Sequence, residues 1–242
     1  MSSSDKHLQA NLKALTERIT AAATGVGRPA ESIALIAVSK TFPAAAVAAL
    51  ARCGQRQFGE SYVQEALAKI AAVRAAAPEL PLVWHFIGPI QSNKTRQIAE
   101  YFDWVQSVDR LKIAQRLSEQ RPAHLPPLNV LLQVNISDEA SKSGVKPEDL
   151  PSMVPEVAAL PRLRLRGLMA IPQPSDDPAQ QRLPLAAMKQ LFDARRDAQR
   201  AAGFAHWDTL SMGMSADLEA AIEAGATMVR VGTALFGERT RN

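Results

Sequence analysis

The chain of 242 residues is 47% apolar but only 5% aromatic, carries a formal charge of +4 and contains one cysteine. That length suits a single α/β barrel with an aliphatic, alanine-rich core, and one cysteine excludes both a disulfide framework and a thiolate metal cage. The basic residues lie scattered among acids, as in Asp193-Ala194-Arg195-Arg196-Asp197, which argues against nucleic acid as a partner. No apolar stretch reaches membrane-spanning length and the polar residues 1–6 lead into no signal core, so a cytoplasmic protein with no membrane partner is expected.

A helix is predicted near 5–24. The stretch Gly25-Val26-Gly27-Arg28-Pro29-Ala30 nominally fits a dinucleotide fingerprint, but it precedes a strand instead of following one, so that reading fails on context. The first strand, 34–39, is a continuous apolar run that closes on Lys40, with Pro43 in the first turn of a helix at about 44–54. Cys53 falls in that helix and is expected to be buried. A second strand at 57–59 runs into Glu60-Ser61-Tyr62 and a helix at 61–77. The third strand, 83–88, carries His85 and precedes a helix at 92–101.

The fourth strand, 104–108, and fifth, 129–135, are separated by a helix at 110–120. A helix at 147–160 leads to the sixth strand at 165–171. Residues 171–184 contain four prolines and predict an extended loop before a helix at 184–203. The seventh strand, 207–212, ends in Met212-Gly213-Met214-Ser215, and a helix follows at 216–225. The eighth strand, 227–231, carries Arg230 and ends in Gly232-Thr233. Strand–helix alternation at this spacing implies parallel pairing through helical crossovers. Eight strands imply one closed (β/α)8 TIM barrel over residues 1–242, with an extra N-terminal helix; an open doubly wound sheet is the competing arrangement.

In such a barrel the carboxyl ends of the strands form the active face. A cation at the end of a buried strand is costly unless something anionic or covalent meets it there. Lys40 is therefore either a reactive lysine or one whose ammonium snorkels to solvent. The loops after the last two strands commonly hold phosphate in these barrels. Gly213, Ser215, Gly232 and Thr233 offer close backbone approach and hydroxyl donors there, and Ser215 reads as a helix N-cap with Asp217 in the first turn. The competing reading is ordinary turns and caps.

A phosphate site opposite a strand-end lysine fits pyridoxal 5′-phosphate, which needs a lysine amine, a phosphate anchor and a partner for its ring nitrogen. Arg230, two residues before Gly232, can point into the barrel and reach that nitrogen, or it can pair with an interior acid. The four histidines lack metal-ligand spacing; only His85 lies at a strand end, where it either packs near the cofactor ring or is a satisfied core residue. Ser215 has no obvious base and no nucleophile elbow surrounds it.

These residues occur in stretches that resemble the YggS/PROSC (PLPBP) family of pyridoxal-phosphate-binding proteins. The stretches are Ala37-Val38-Ser39-Lys40-Thr41, Phe58-Gly59-Glu60-Ser61-Tyr62-Val63-Gln64-Glu65, and Trp84-His85-Phe86-Ile87-Gly88-Pro89-Ile90-Gln91-Ser92-Asn93-Lys94. They continue with Gln133-Val134-Asn135-Ile136-Ser137 running to Lys142-Ser143-Gly144, Arg166-Gly167-Leu168-Met169, Leu210-Ser211-Met212-Gly213-Met214-Ser215, and Val229-Arg230-Val231-Gly232-Thr233-Ala234-Leu235-Phe236-Gly237. The resemblance implies a fold-type III barrel like the N-terminal domain of alanine racemase, with Lys40 as the Schiff-base lysine and Arg230 facing the pyridine nitrogen. It also implies phosphate contacts from Ser211, Met212, Gly213, Ser215, Gly232 and Thr233. The family usually has Asn at the position of Ser61, so a contact there would be shorter or bridged by water.

Two functions fit these residues: an amino-acid racemase, and a protein that holds, buffers and delivers pyridoxal phosphate. Two-base racemisation needs an acid–base group on each face of the cofactor. Alanine racemases supply the second from a tyrosine of an added domain, for which this chain has no room. Tyr101 lies late in a helix and Tyr62 at a helix start. A fixed guanidinium beside the ring nitrogen also opposes its protonation and weakens the electron sink. The expectation is a monomeric protein of vitamin B6 homeostasis without established catalytic activity, whose partners are pyridoxal phosphate and apo-enzymes that use it.

Overall fold

The computed structural model describes residues 3–137, 143–201, 203 and 206–237. Eight strands, β1 (Ala34–Val38), β2 (Gln57–Glu60), β3 (Val83–Phe86), β4 (Trp104–Val108), β5 (Leu128–Gln133), β6 (Leu163–Met169), β7 (Thr209–Ser211) and β8 (Met228–Val231), pair in sequence order into a closed barrel. All pairings are parallel, and β1 closes on β8 with Ile36 opposite Arg230 and Ala37 opposite Val231. The closed barrel, not the open sheet, is the arrangement adopted.

The outer layer consists of α1 (Ser3–Gly25), α2 (Ala44–Arg52), α3 (Val63–Ala76), α4 (Thr95–Tyr101), α5 (Leu111–Gln120), α6 (Leu150–Ala158), α7 (Pro178–Ala201), α8 (Leu218–Glu223) and α9 (Thr233–Phe236). The strand side chains alternate between two cores, because successive residues of a strand face opposite ways. Ile36, Trp104, Leu131, Met169 and Met228 fill the barrel interior. Ala37, Phe58, Phe86, Val105, Val130, Val229 and Val231 pack outward against the helices. The N-terminal helix α1 is the extra element; it is tied to α9 by Asn11 Nδ2 donating to the Leu235 carbonyl at 3.0 Å, and to α8 by the Arg18–Glu219 pair at 2.8 Å.

Four expectations need correction. The loop after β6 is shorter than 171–184, because α7 begins at Pro178. Asp177 Oδ1 accepts the Ala179 N–H at 2.9 Å there and Pro178 lacks a donor to satisfy, so Pro184 lies within the helix and does not start it. Cys53 is not buried in a helix but half-buried at the C-cap of α2. Residues 92–94 form a 3₁₀ turn before α4. Pro43 occupies the N-cap position of α2, one residue before the first turn. Lys142, part of one family-like stretch, lies outside the described residues.

Candidate functional site

Lys40 lies two residues beyond Val38 on the inward phase that Ala34 and Ile36 set in β1, and Arg230 occupies the inward phase of β8 between Met228 and Gly232. Both reach a cavity of about 300 Å³ at the carboxyl end of the barrel. Its polar lining is Lys40, Ser61, Ser215, Arg230 and Thr233, with Gly232, and Val38, Ile87 and Ile171 among its apolar walls. That volume is at the lower end of the range for small-molecule sites. Larger clefts of about 720 Å³ between α1 and the end of α2, and about 550 Å³ beside the start of α7, do not include Lys40 or Arg230.

Glycines shape this mouth in two different ways. Gly213 has φ +94°, and a Cβ there would meet the Ala221 Cβ at 2.4 Å, so the turn after β7 requires glycine. Gly232 has φ −112°, which any residue adopts, and the nearest atom to an added Cβ is the Val38 carbonyl oxygen at 3.4 Å. No contact among the described residues demands glycine at 232. A side chain there would instead occupy the cavity, which is what a site shaped for a bound group requires. Gly88 brings a third loop close: its Cβ position lies 2.2 Å from the Ser61 carbonyl, so the turns after β2 and β3 touch and hold Ser61 at the cavity.

Arg230 is almost completely buried. Its Nη1 donates to Ser211 Oγ at 2.6 Å and its Nη2 to the Ala170 carbonyl at 2.8 Å. Burial lowers its pKa to about 10, against the opposing charge of Asp217, which leaves the guanidinium protonated at neutral pH. The Ser211 hydroxyl in turn donates to Gln106 Oε1 at 2.7 Å. Gln106 Nε2 lies 3.0 Å from His85 Nδ1, and His85 Nε2 lies 3.0 Å from Gln57 Oε1. An amide nitrogen only donates and an amide oxygen only accepts, so the imidazole is neutral with its proton on Nε2. Burial agrees, holding the His85 pKa down to about 3. Five side chains from five strands thus form one directional chain that starts at the cation and crosses the barrel interior. Beneath it Trp104 stacks on His85 with centroids 5.4 Å apart, and Arg166 lies over Trp104 at 4.8 Å.

Of the predicted site residues, Lys40, Ser61, Ser215, Arg230, Gly232 and Thr233 converge on the cavity, and Gly213 shapes the turn beside it. Ser211 and Met212 do not line the cavity. The Ser211 hydroxyl is committed to Arg230 and Gln106, and the Met212 side chain is wholly buried in the outer core. His85 also lies deeper than expected, fully buried and joined to Arg230 through two intervening side chains. Ser215 is not the N-cap of α8; Asp217 holds that position, and its Oδ1 accepts the Met214 N–H at 2.7 Å. The sequence reading does not single out Gln57 and Gln106 of this hydrogen-bonded chain, or Lys69 on α3. Gln106 stands out as a polar residue in the apolar run Trp-Val-Gln-Ser-Val, and Lys69 as the partner of Glu65 one helical turn earlier.

The family model described as the alanine racemase N-terminal domain matches residues 10–240 of this chain. The chain is 59% identical over 230 residues to the pyridoxal phosphate homeostasis protein of Pseudomonas aeruginosa, covering 95% of this chain and 94% of that one. Among solved structures, PipY of Synechococcus elongatus with pyridoxal phosphate bound matches at 37% identity with a TM-score of 0.76, covering 92% of this chain and 99% of that one. An alanine racemase of Clostridium difficile matches at 16% identity with a TM-score of 0.69, covering 98% of this chain but 58% of that one, a likeness of fold alone.

Proposed function

The chain belongs to the pyridoxal phosphate homeostasis proteins of the alanine racemase N-terminal-domain family, and on that premise we propose that it binds pyridoxal 5′-phosphate in the cavity between Lys40 and Arg230. When bound, this group supplies an aldehyde for an amine and an aromatic ring that can draw electrons from it. Lys40 is the amine that reaches the aldehyde. Arg230, protonated and held by Ser211 and the Ala170 carbonyl, would donate a hydrogen bond to the ring nitrogen and keep that nitrogen unprotonated, since two adjacent cations repel. The Ser215 and Thr233 hydroxyls and the backbone of the Gly213 and Gly232 turns would hold its phosphate, where Gly232 leaves room beside Val38.

The observation that favours holding over catalysis is the cavity lining. Among the described residues that line it, Lys40 is the one amine, and the rest are hydroxyls, glycine, apolar groups and the guanidinium, so it is the one side chain there of a type that commonly serves as a general base. Tyr62 is 56% exposed at the N-cap position of α3 and Tyr101 lies at the end of α4, and neither lines the cavity. Among the described residues that line the cavity, a reaction that removes and returns a proton on opposite faces lacks its second group. The reading is a protein that stores and releases the cofactor, supplying apo-enzymes as a cytoplasmic monomer. No helix among the described residues is long and apolar enough to cross a membrane.

The experiment is the absorption spectrum of purified protein with pyridoxal phosphate. Wild type is expected to be yellow, and Lys40→Ala to lose that band. An unchanged spectrum in the variant rejects the attachment site. Solvent deuterium exchange at Cα of alanine and other amino acids separates holding from racemisation: catalytic exchange that disappears in Lys40→Ala would establish the enzyme instead.

A further inference from the structure

The main chain on both sides of Lys40 is gripped by one ion cluster that lies outside the cavity, between β2 and α3. Lys69, buried on α3, donates from Nζ to Glu60 Oε1 at 2.6 Å, to Glu65 Oε1 at 2.8 Å and to the Ser39 carbonyl at 2.6 Å. These three bonds use every donor of an ammonium. Ser39 Oγ also donates to Glu60 Oε1 at 2.6 Å, and the Thr41 N–H donates to Glu65 Oε1 at 2.6 Å. The attachments to the chain therefore fall on residues 39 and 41, one on each side of the lysine.

Two features show that this arrangement works against its own cost. Thr41 has φ +68°, the one left-handed non-glycine residue among those described, in a region that crowds any Cβ. Strain of that kind persists where surrounding bonds over-determine it, and here the bond is a charge-assisted one from its own N–H. Glu60 is wholly buried, and its Oε2 has no hydrogen-bond partner among the described residues. Burying ions is a poor way to stabilise a fold compared with apolar packing of the same volume. A cluster with one unsatisfied carboxylate oxygen is better explained by what it holds.

We propose that Lys69 and Glu65 are positioning residues that hold the 39–41 main chain so that the Lys40 amine is aimed into the cavity. Attachment joins the amine nitrogen to the aldehyde carbon with loss of one water, and its rate depends on how well the two atoms are aligned beforehand. Without the cluster Thr41 relaxes to an ordinary conformation, and the chain direction at Lys40 changes with it. The inference rests on the reading of Lys40 as the attachment lysine.

The test follows the growth of the yellow band after mixing pyridoxal phosphate with cofactor-free protein, for wild type, Lys69→Met, Glu65→Ala and the Thr41→Gly/Glu65→Ala double variant. Glu65→Ala, at a side chain one-third exposed, is expected to fold and to slow attachment about tenfold, equivalent to ~1.4 kcal/mol in the barrier. Thr41→Gly is expected to restore most of that rate, because glycine adopts a positive φ without the carboxylate. A purely structural role would lower the melting temperature without changing the rate among folded molecules, and glycine would not rescue it. Wild-type rates in Glu65→Ala overturn the proposal, whether or not Lys69→Met folds, and so does slowing that Thr41→Gly fails to correct. If Lys40→Ala keeps the yellow band, the attachment reading itself fails; if it loses the band while Glu65→Ala behaves as wild type, the positioning proposal alone fails.

Discussion

The Arg230 guanidinium donates to the Ser211 hydroxyl across 2.6 Å, and that hydroxyl is fixed because its own proton goes to Gln106 Oε1 at 2.7 Å. The orientation of the cation at the cavity is therefore set by residues that do not line it. Ser211→Ala leaves a buried N–H of Arg230 without that acceptor, with an expected cost of about 1–3 kcal/mol in chemical denaturation. Pyridoxal phosphate affinity is expected to fall as well, because the guanidinium can turn. A variant with wild-type stability and affinity would mean that the Ala170 carbonyl orients Arg230 alone.

The imidazole at the centre of the chain gives a pH dependence of definite sign. Burial holds the His85 pKa at about 3, against 6.5 when exposed. Below pH 6.5 the unfolded chain gains a proton that the folded protein does not accept until about pH 3. The contribution to stability is therefore complete above pH 6.5 and is lost as pH falls through that window, by up to ~1.4 kcal/mol per pH unit. Urea denaturation at several pH values between 7 and 5 should show a shallower fall for His85→Gln than for wild type. Equal slopes would place the acid sensitivity elsewhere.

The two glycines of the mouth should respond differently to alanine. Gly232→Ala meets ordinary contacts at an allowed φ, so its stability is expected to stay within about 0.5 kcal/mol of wild type while cofactor affinity falls at least about tenfold. Gly213→Ala puts a Cβ 2.4 Å from Ala221 at φ +94° and is expected to cost more than about 2 kcal/mol of stability. Thermal melts and cofactor titration of both variants separate a space reserved for a ligand from a space reserved for the chain.

Phe42, in the turn after Lys40, stacks on Phe236 of α9 with ring centroids 4.6 Å apart and planes 18° from parallel. This pair joins the lysine turn to the helix that starts at Thr233, so both sides of the cavity share one hydrophobic anchor. Phe236→Ala is expected to destabilise the fold by roughly 2–4 kcal/mol and to speed cofactor release. Denaturation and release kinetics measured on the same sample check both effects. Unchanged release in a destabilised variant would confine the stack to a structural role.

What the sequence determined was the set of properties carried by local pattern. Apolar runs of strand length between helical periods specify the eight strands and their parallel order. Position relative to a strand end also places Lys40 and Arg230 toward the carboxyl face of the barrel, and small residues after β7 and β8 mark the turns beside them. The prolines of 171–184 do not all break the chain: the Asp177 turn and Pro178 begin α7, and Pro184 is carried inside it. Tertiary structure alone decided which inward side chains meet across the barrel. Gln106 and Ser211 are 105 residues apart, and Lys69 reaches the Ser39 carbonyl across 30 residues. Such pairings depend on the register and closure of the whole sheet, which no local periodicity encodes. The same closure turns the Ser211 hydroxyl toward Arg230 and Gln106, and buries His85 outside the cavity lining.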